Sequence, residues 1–345
     1  MFRIDFPGDG ELLNHSHGAE TAEGLRTTVR GRGPRHRRIT VNGAEARRDG
    51  EFFAAPVLLT EQLQEITAEA GGERLSVTPY YDRNSRRRYN FFIDDNAFFF
   101  RELAVENRRS LFDSFYLAAL REIHREFGTK FTLNCFYENA HQPFRLSGFP
   151  DRFRGEWEEN SGWLRLAFHA DCEFPEHPYG AAYPEKLPEH YMRVAAEIRR
   201  FAGEQTLIPP VLVHFFDVAD PAARRFLREQ GMRCFTRSEP YWRNLRERTG
   251  REWFARFDSG NRWLEIPVEF FGNLLTQSGI REAVARIAAT PGKELVNLGS
   301  HEQYCYPFYA RYLPDHLERL RLMAELMAEA GYSSVFPAES PESCF

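Results

Sequence analysis

The sequence predicts an α/β protein: a deformed (β/α) barrel of seven or eight strands, open or closed, preceded by a small all-β domain. Three observations carry this expectation. Residues 1–87 consist of short strand-like runs separated by turn residues, with little helical periodicity. From residue 88 onward, short apolar runs alternate with amphipathic helical segments, the pattern of a parallel sheet or barrel. The length of 345 residues suits two domains, 1–87 and 88–345, and 42% hydrophobic residues with 31 Phe supply packed cores rather than a disordered chain.

In the first domain, residues 25–29 and 38–41 alternate or carry β-branched side chains, and Asn42-Gly43 is a two-residue hairpin signal. Residues 51–59 and 74–79 continue the strand pattern, Gly71-Gly72 and 82–85 mark turns, and 61–69 holds a possible helical turn. The stretch through Val41, Asn42, Gly43, Phe52, Val57, Leu58, Leu59 and Ile66 resembles an Ig-like module of carbohydrate-active proteins, which implies a β-sandwich. In the second domain, candidate strands are 89–93, 130–136, 164–168, 211–215, 234–235, 263–266 and 295–298. Candidate helices are 107–127, 188–202, 221–230, 280–289 and 314–330. The first carries Leu111, Phe115, Ala118, Ala119 and Ile123 at helical spacing and stops at Gly128. The third opens on Asp220 as N-cap with Pro221 at the first helical position.

A formal charge of −5 argues against an electrostatic nucleic-acid binder. The local basic run Arg32, Arg35, His36, Arg37, Arg38 lacks interleaved aromatics and reads as a solvated turn between strands. The five cysteines, Cys135, Cys172, Cys234, Cys305 and Cys344, form no CxxC pair and suit a reducing compartment. The first ten residues carry acids and no apolar run, and no segment approaches the roughly 18 apolar residues of a membrane span. The default expectation is therefore cytoplasmic. Oligomeric state is not legible.

In a parallel α/β barrel, chemistry sits at the carboxyl ends of the strands. Four places put Asp, Glu or His directly after an apolar run. Asp94-Asp95 follows Tyr89–Ile93 as adjacent carboxylates that repel unless a cation holds them, although an acidic turn or N-cap is the bland alternative. His169 follows 164–168, with Asp171, Glu173 and His177 close behind; imidazole with carboxylate suits zinc or a similar ion, the alternative being an aromatic-proline loop. His301-Glu302 follows the last strand, where the barrel closes against the first. His214, inside 211–217, is an additional candidate, with a core histidine and its hydrogen-bond partner as the favoured reading.

Ile93-Asp94-Asp95, a helix, and then Thr129 to Asn134 together resemble the opening of the polysaccharide deacetylase (NodB homology, carbohydrate esterase family 4) domain over roughly residues 89–336. That family has an F-D-D-G strand end, a T-F-F strand, a His followed four residues later by a second His, and a late L-x-H. The resemblance implies Asp94 as general base, Asp95 and His169 as metal ligands, and His301 as the late acid. Glu173 stands where the second metal histidine belongs, with His177 as another source of imidazole, and Asn96 replaces the glycine. No counterpart of the Arg-containing third motif is assigned. Tyr137, Trp157, Trp163, Tyr179 and Tyr304 are candidates for stacking on sugar rings, each with core packing as its alternative.

The implied function is a hydrolase using one divalent ion, zinc first, to remove acetyl groups from an N- or O-acetylated carbohydrate. Two alternatives stand beside it: a degenerate relative that binds glycan without cleaving it, and a hydrolase of a non-sugar amide or ester.

Overall fold

The computed structural model describes residues 1–336 and Glu339, so Cys344 and the far end of the second predicted domain lie outside the described residues. The N-terminal part is built from two antiparallel sheets and a short parallel pair, Leu12–Leu13 with Tyr80–Tyr81. One contains Arg3–Phe6, Leu25–Arg32, Phe52–Leu59 and Arg47–Asp49, with Ala19–Glu20 at its side; the other contains Glu73–Val77, Ile66–Ala70, Ile39–Val41 and Ala44–Glu45. In Phe52–Leu59 every second residue is buried, so Phe53, Ala55, Val57 and Leu59, with Val29 beside them in the same sheet, face Ile39, Val41, Ile66 and Ala68 across one core. Asn42 and Gly43 both take positive φ (48° and 79°) at the hairpin they signal, the backbone that such a two-residue turn requires. The possible helical turn at 61–69 is instead the start of strand Ile66–Ala70, whose buried residues Ile66, Ala68 and Ala70 recur at period two.

The remaining chain carries, in order, β1 (Arg88–Asn96), α1 (Phe98–Val105), α2 (Phe115–Phe127), β2 (Phe131–Phe136), α3 (Arg154–Asn160), β3 (Leu164–Ala170), α4 (Leu187–Ala202), α5 (Pro221–Glu229), β4 (Cys234–Arg237), α6 (Glu239–Thr249), β5 (Arg256–Asp258), β6 (Trp263–Pro267), β7 (Phe270–Phe271), α7 (Gln277–Ala289), β8 (Leu295–His301), α8 (His316–Glu329) and β9 (Ser333–Ser334). A parallel sheet runs in the order β3-β2-β1-β8-β7, with β9 against the start of β1. A second sheet, β4-β6-β5, is separate. All nine residues of β1 are buried, as expected of the central strand of a sheet covered on both faces.

Continuous strand pairing does not close into a ring of seven or eight. The expected strand at 211–215 is the point of failure: extended chain gives way to a tight turn at His214–Phe216, where Phe215 and Phe216 have φ of 64° and 60°. Two left-handed residues in succession break the extended repeat that a ladder needs. Isolated contacts trace where the ring would run: beside β3 a parallel bridge joins Leu166 to Leu207, with Leu166 N–H donating to Thr206 O and Ile208 N–H to Leu166 O, and beside β4 Thr236 N–H donates to Val211 O.

The helix expected over 107–127 is shorter: it is α2, Phe115–Phe127, preceded by a single 3-10 turn at Leu111–Asp113, and α1 at Phe98–Val105 was not expected at all. The run Phe98-Phe99-Phe100, all buried, opens α1 although its aromatic content reads as strand. The two parts of the chain share apolar contacts: Leu12 and Tyr80 bury against Phe92, Leu212, Phe257 and Leu264. Among the described residues no helix is long and apolar enough to cross a membrane.

Candidate metal centre

The carboxyl ends of β1, β3 and β8 meet at one cleft of about 530 Å³. Register brings them together: Asp94 pairs across the sheet with His301. Successive residues of a regular strand point to opposite faces, yet both Asp94 and Asp95 line the cleft. A bulge explains this. The pairing of β1 with β2 shifts between Ile93 and Asn96, and Asp95 has φ of 62°, so the chain turns Asp95 back toward Asp94's side. Asn96, where the resembled family has glycine, pins the bulge. Its amide donates to Ile93 O (2.6 Å) and Asn134 O (3.0 Å) and accepts from the Tyr116 hydroxyl (3.0 Å).

Three ligand-type atoms converge beside this bulge, from Asp95, His169 and His214, all within 4.8 Å of one another. Asp95 Oδ1 lies 3.2 Å from His169 Nε2 and 3.8 Å from His214 Nδ1, and the two imidazole nitrogens are 3.0 Å apart. His214 Nε2 is 3.0 Å from Glu173 O; a carbonyl only accepts, so Nε2 carries the proton and Nδ1 turns a bare lone pair to the cluster. His169 and Asp95 are buried, and Asp95 Oδ1 finds no hydrogen-bond donor. Buried acceptors facing one another without enough protons are what a cation satisfies. One carboxylate with two imidazoles suits zinc or another borderline divalent ion. The residues present fit a metal.

Burial dominates the electrostatics. It lowers the His169 imidazole to about 3 and those of His214 and His301 to about 4, so all three are neutral near pH 7. Burial, then the charge of Asp95, pushes the Asp94 carboxyl well above the usual carboxylate range, opposed by the Asn134 amide at 2.7 Å from Asp94 Oδ1. His301 holds its Nδ1–H on Asn273 Oδ1 (2.9 Å), which leaves Nε2 4.0 Å from Asp95 Oδ2.

Several sequence expectations change in this setting. His214 is no isolated core histidine; it stands in the ligand cluster, delivered by the left-handed turn that broke the expected strand. Glu173 is outside that cluster: its carboxylate is held by His141 (2.6 Å) and Gln303 (2.9 Å), while its carbonyl orients His214. His177 cannot supply the second imidazole, since it pairs at 3.0 Å with Asp217 on an exposed loop. Asp171 pairs with Arg193, away from the residues lining the cleft. Glu302 is fully buried and accepts from the N–H groups of Ala97, Phe98 and Phe99, capping α1 rather than facing substrate.

Of the aromatic candidates, Tyr304 lines the cleft and stacks toward His301 and Tyr309. Trp163 precedes β3 at the opposite end of the sheet, stacked on His124, and so cannot meet a sugar at this cleft. Tyr179 and Trp157 are fully buried core residues. Tyr137 lies under Arg193 and outside the cleft lining. Sequence reasoning missed His141, Gln303, Phe174, Phe215, Phe216, Tyr309 and Arg311, which line the cleft from loops. It also missed Asn134 and Asn273, single polar residues with no motif to flag them.

No family model matches the chain, and no curated protein matches it. Among solved structures it is similar to the Xyl-CE4 domain of a multidomain xylanase from the hindgut metagenome of Trinervitermes trinervoides, at 10% identity and TM-score 0.40, over 74% of this chain and 90% of that one. It is also similar to a peptidoglycan N-acetylglucosamine deacetylase, at 12% identity and TM-score 0.41, over 73% and 86%. A third is a family 4 acetyl xylan esterase from Clostridium thermocellum in complex with a cobalt ion, at 12% identity and TM-score 0.40, over 75% and 97%. At these identities and scores the functional reading rests on the geometry of the site.

Proposed function

We propose that this protein is a metal-dependent hydrolase that removes an acyl group, acetyl first, from a carbohydrate. The observation that supports it most is the convergence of Asp95, His169 and His214 in one cleft with a second buried carboxyl, Asp94, and a third histidine, His301. Asp95, His169 and His214 would hold the ion, with zinc first among candidates. A bound divalent ion supplies polarisation of an acyl carbonyl and acidification of water.

The chain's own residues do the rest. Asp94, whose raised pKa makes it a stronger base than an exposed carboxylate, accepts a proton from the attacking water. Asn134 holds Asp94 in place, as Asn273 holds His301. His301, neutral with its ring proton on Nδ1, turns a bare Nε2 to the cleft, so it takes up a proton there before passing it to the departing amine or alcohol. Tyr304 and Tyr309, with Phe174, Phe215 and Phe216, give the cleft aromatic walls against which sugar faces pack. The division of the chain near residue 87 belongs to the same reading, with the N-terminal β part bracing the larger one.

The test is elemental analysis of the wild type, His169→Ala and His214→Ala, together with acetate release from acetylated xylan and from N-acetylated chito-oligosaccharide. About one equivalent of divalent metal in the wild type, lost in both variants along with acetate release, is expected. A wild type that takes up no added zinc, cobalt, nickel or manganese overturns the mechanism. Metal and sugar binding without acetate release would assign a glycan-binding protein instead.

A further inference from the structure

Glu173 stands four residues after His169 and lines the same cleft, yet it is not one of the residues whose ligand atoms cluster there. Three donors converge on this one residue. Its carboxylate Oε2 lies 2.6 Å from His141 Nε2 and 2.9 Å from Gln303 Nε2, and its backbone carbonyl lies 3.0 Å from His214 Nε2. A carboxylate accepts only, so the proton of the His141 ring sits on Nε2 and Nδ1 is left as a bare acceptor. Among the described residues, Nδ1 has no partner.

His141 is nevertheless held. Its ring meets Phe98 edge-on at 5.6 Å and Tyr309 edge-on at 5.4 Å. Its backbone N–H donates to Asn139 Oδ1 at 3.0 Å, and Asn139 is itself buried. About a third of the side chain stays open to solvent, and the ring forms part of the cleft wall that continues through Tyr309 and Tyr304 to His301. A polar ring fixed on both sides and by its own backbone, with one acceptor free in the cleft, is a pre-arranged hydrogen-bonding position rather than a mobile surface histidine.

We infer that His141 is a substrate-contacting residue that accepts a hydrogen bond from a free hydroxyl of the sugar bearing the acyl group, with Glu173 and Gln303 as the residues that position it. The inference rests on the deacylase reading and narrows it: the substrate is an acylated saccharide with an unsubstituted hydroxyl near the scissile group, and simple esters lacking that hydroxyl do not use His141. It also gives Glu173 a role distinct from metal ligation. Its carbonyl fixes a ligand's tautomer and its carboxylate fixes the sugar contact.

The experiment compares wild type, His141→Ala and Glu173→Gln, each metal-loaded, for metal content, for kcat and KM on N-acetylated chito-oligosaccharide, and for turnover of p-nitrophenyl acetate. His141→Ala is expected to raise KM for the oligosaccharide about tenfold with kcat little changed, the size of one lost hydrogen bond in a desolvated site. Glu173→Gln is expected to shift KM in the same direction by less and to keep its metal. On the simple ester both variants are expected to lose less than on the oligosaccharide, since the ester offers His141 no hydroxyl. An unchanged KM in His141→Ala overturns the inference and leaves the deacylase reading standing. Loss of metal in Glu173→Gln overturns it too, since Glu173 would then be a ligand. A wild type that cleaves only the simple ester overturns the saccharide contact, and one that cleaves neither overturns the deacylase reading and this inference together.

Discussion

Asn96 carries more of this site than its place in the sequence suggests. A glycine there would accept the bulge passively, whereas Asn96 spends its amide on two carbonyls and its oxygen on Tyr116. Asn96→Ala strips all three bonds from a fully buried position. We expect it to lower stability by about 2 to 4 kcal/mol, read from the denaturation midpoint. Metal affinity should weaken by about tenfold or more, because the bulge that turns Asp95 toward the histidines loses its anchor. Asn273 acts differently. It touches His301 and no ligand, so Asn273→Ala should lower kcat by about tenfold with metal content unchanged, checked by parallel kinetics and elemental analysis.

At the scale of elements, Glu302 is the clearest test of how α1 is held. Its carboxylate reaches the N–H groups of the N-cap Ala97 and of the first two helical residues, Phe98 and Phe99, from just past β8, tying two distant parts of the chain together. Glu302→Gln replaces one accepting oxygen with a donor that faces other donors. The variant should lose about 2 to 3 kcal/mol and show weaker hydrogen-exchange protection at Ala97, Phe98 and Phe99. If those amides keep their protection, the capping account is wrong. The same element shows why α1 escaped sequence reading: a run of three phenylalanines has strand character, and its helical start depends on a carboxylate about 200 residues away.

For the whole molecule, burial of histidines sets the acid limit. His316 is fully buried, held between Ser300 Oγ and the carbonyl of His301, and burial lowers it from 6.5 to about 4. The unfolded chain therefore takes up this proton first. His316 contributes stability that is present above pH 6.5 and is lost as pH falls from 6.5 toward 4, about 3 kcal/mol in all. Urea denaturation at pH 7, 5.5 and 4.5 should show this decline, with a shallower slope in His316→Gln. An equal slope in the variant would assign the acid sensitivity elsewhere.

The alternation of apolar runs and helices was enough, by itself, to locate six of the seven candidate strands and the carboxyl ends that matter. Asp94, Asp95, His169 and His301 all follow such runs, because a parallel strand buried on both faces is mostly apolar until it reaches the cleft. The hairpin at Asn42-Gly43 was legible for an equally local reason, a backbone that few residue pairs adopt. What tertiary structure decided is which side chains meet. Motif spacing pointed to Glu173 for the ion, whereas the fold delivers His214, 45 positions after His169, on a turn whose left-handed residues leave no periodic trace. Local pattern reports which face a residue occupies; the meeting of Asp95, His169 and His214 depends on loops and a bulge whose geometry is set by contacts distant in sequence.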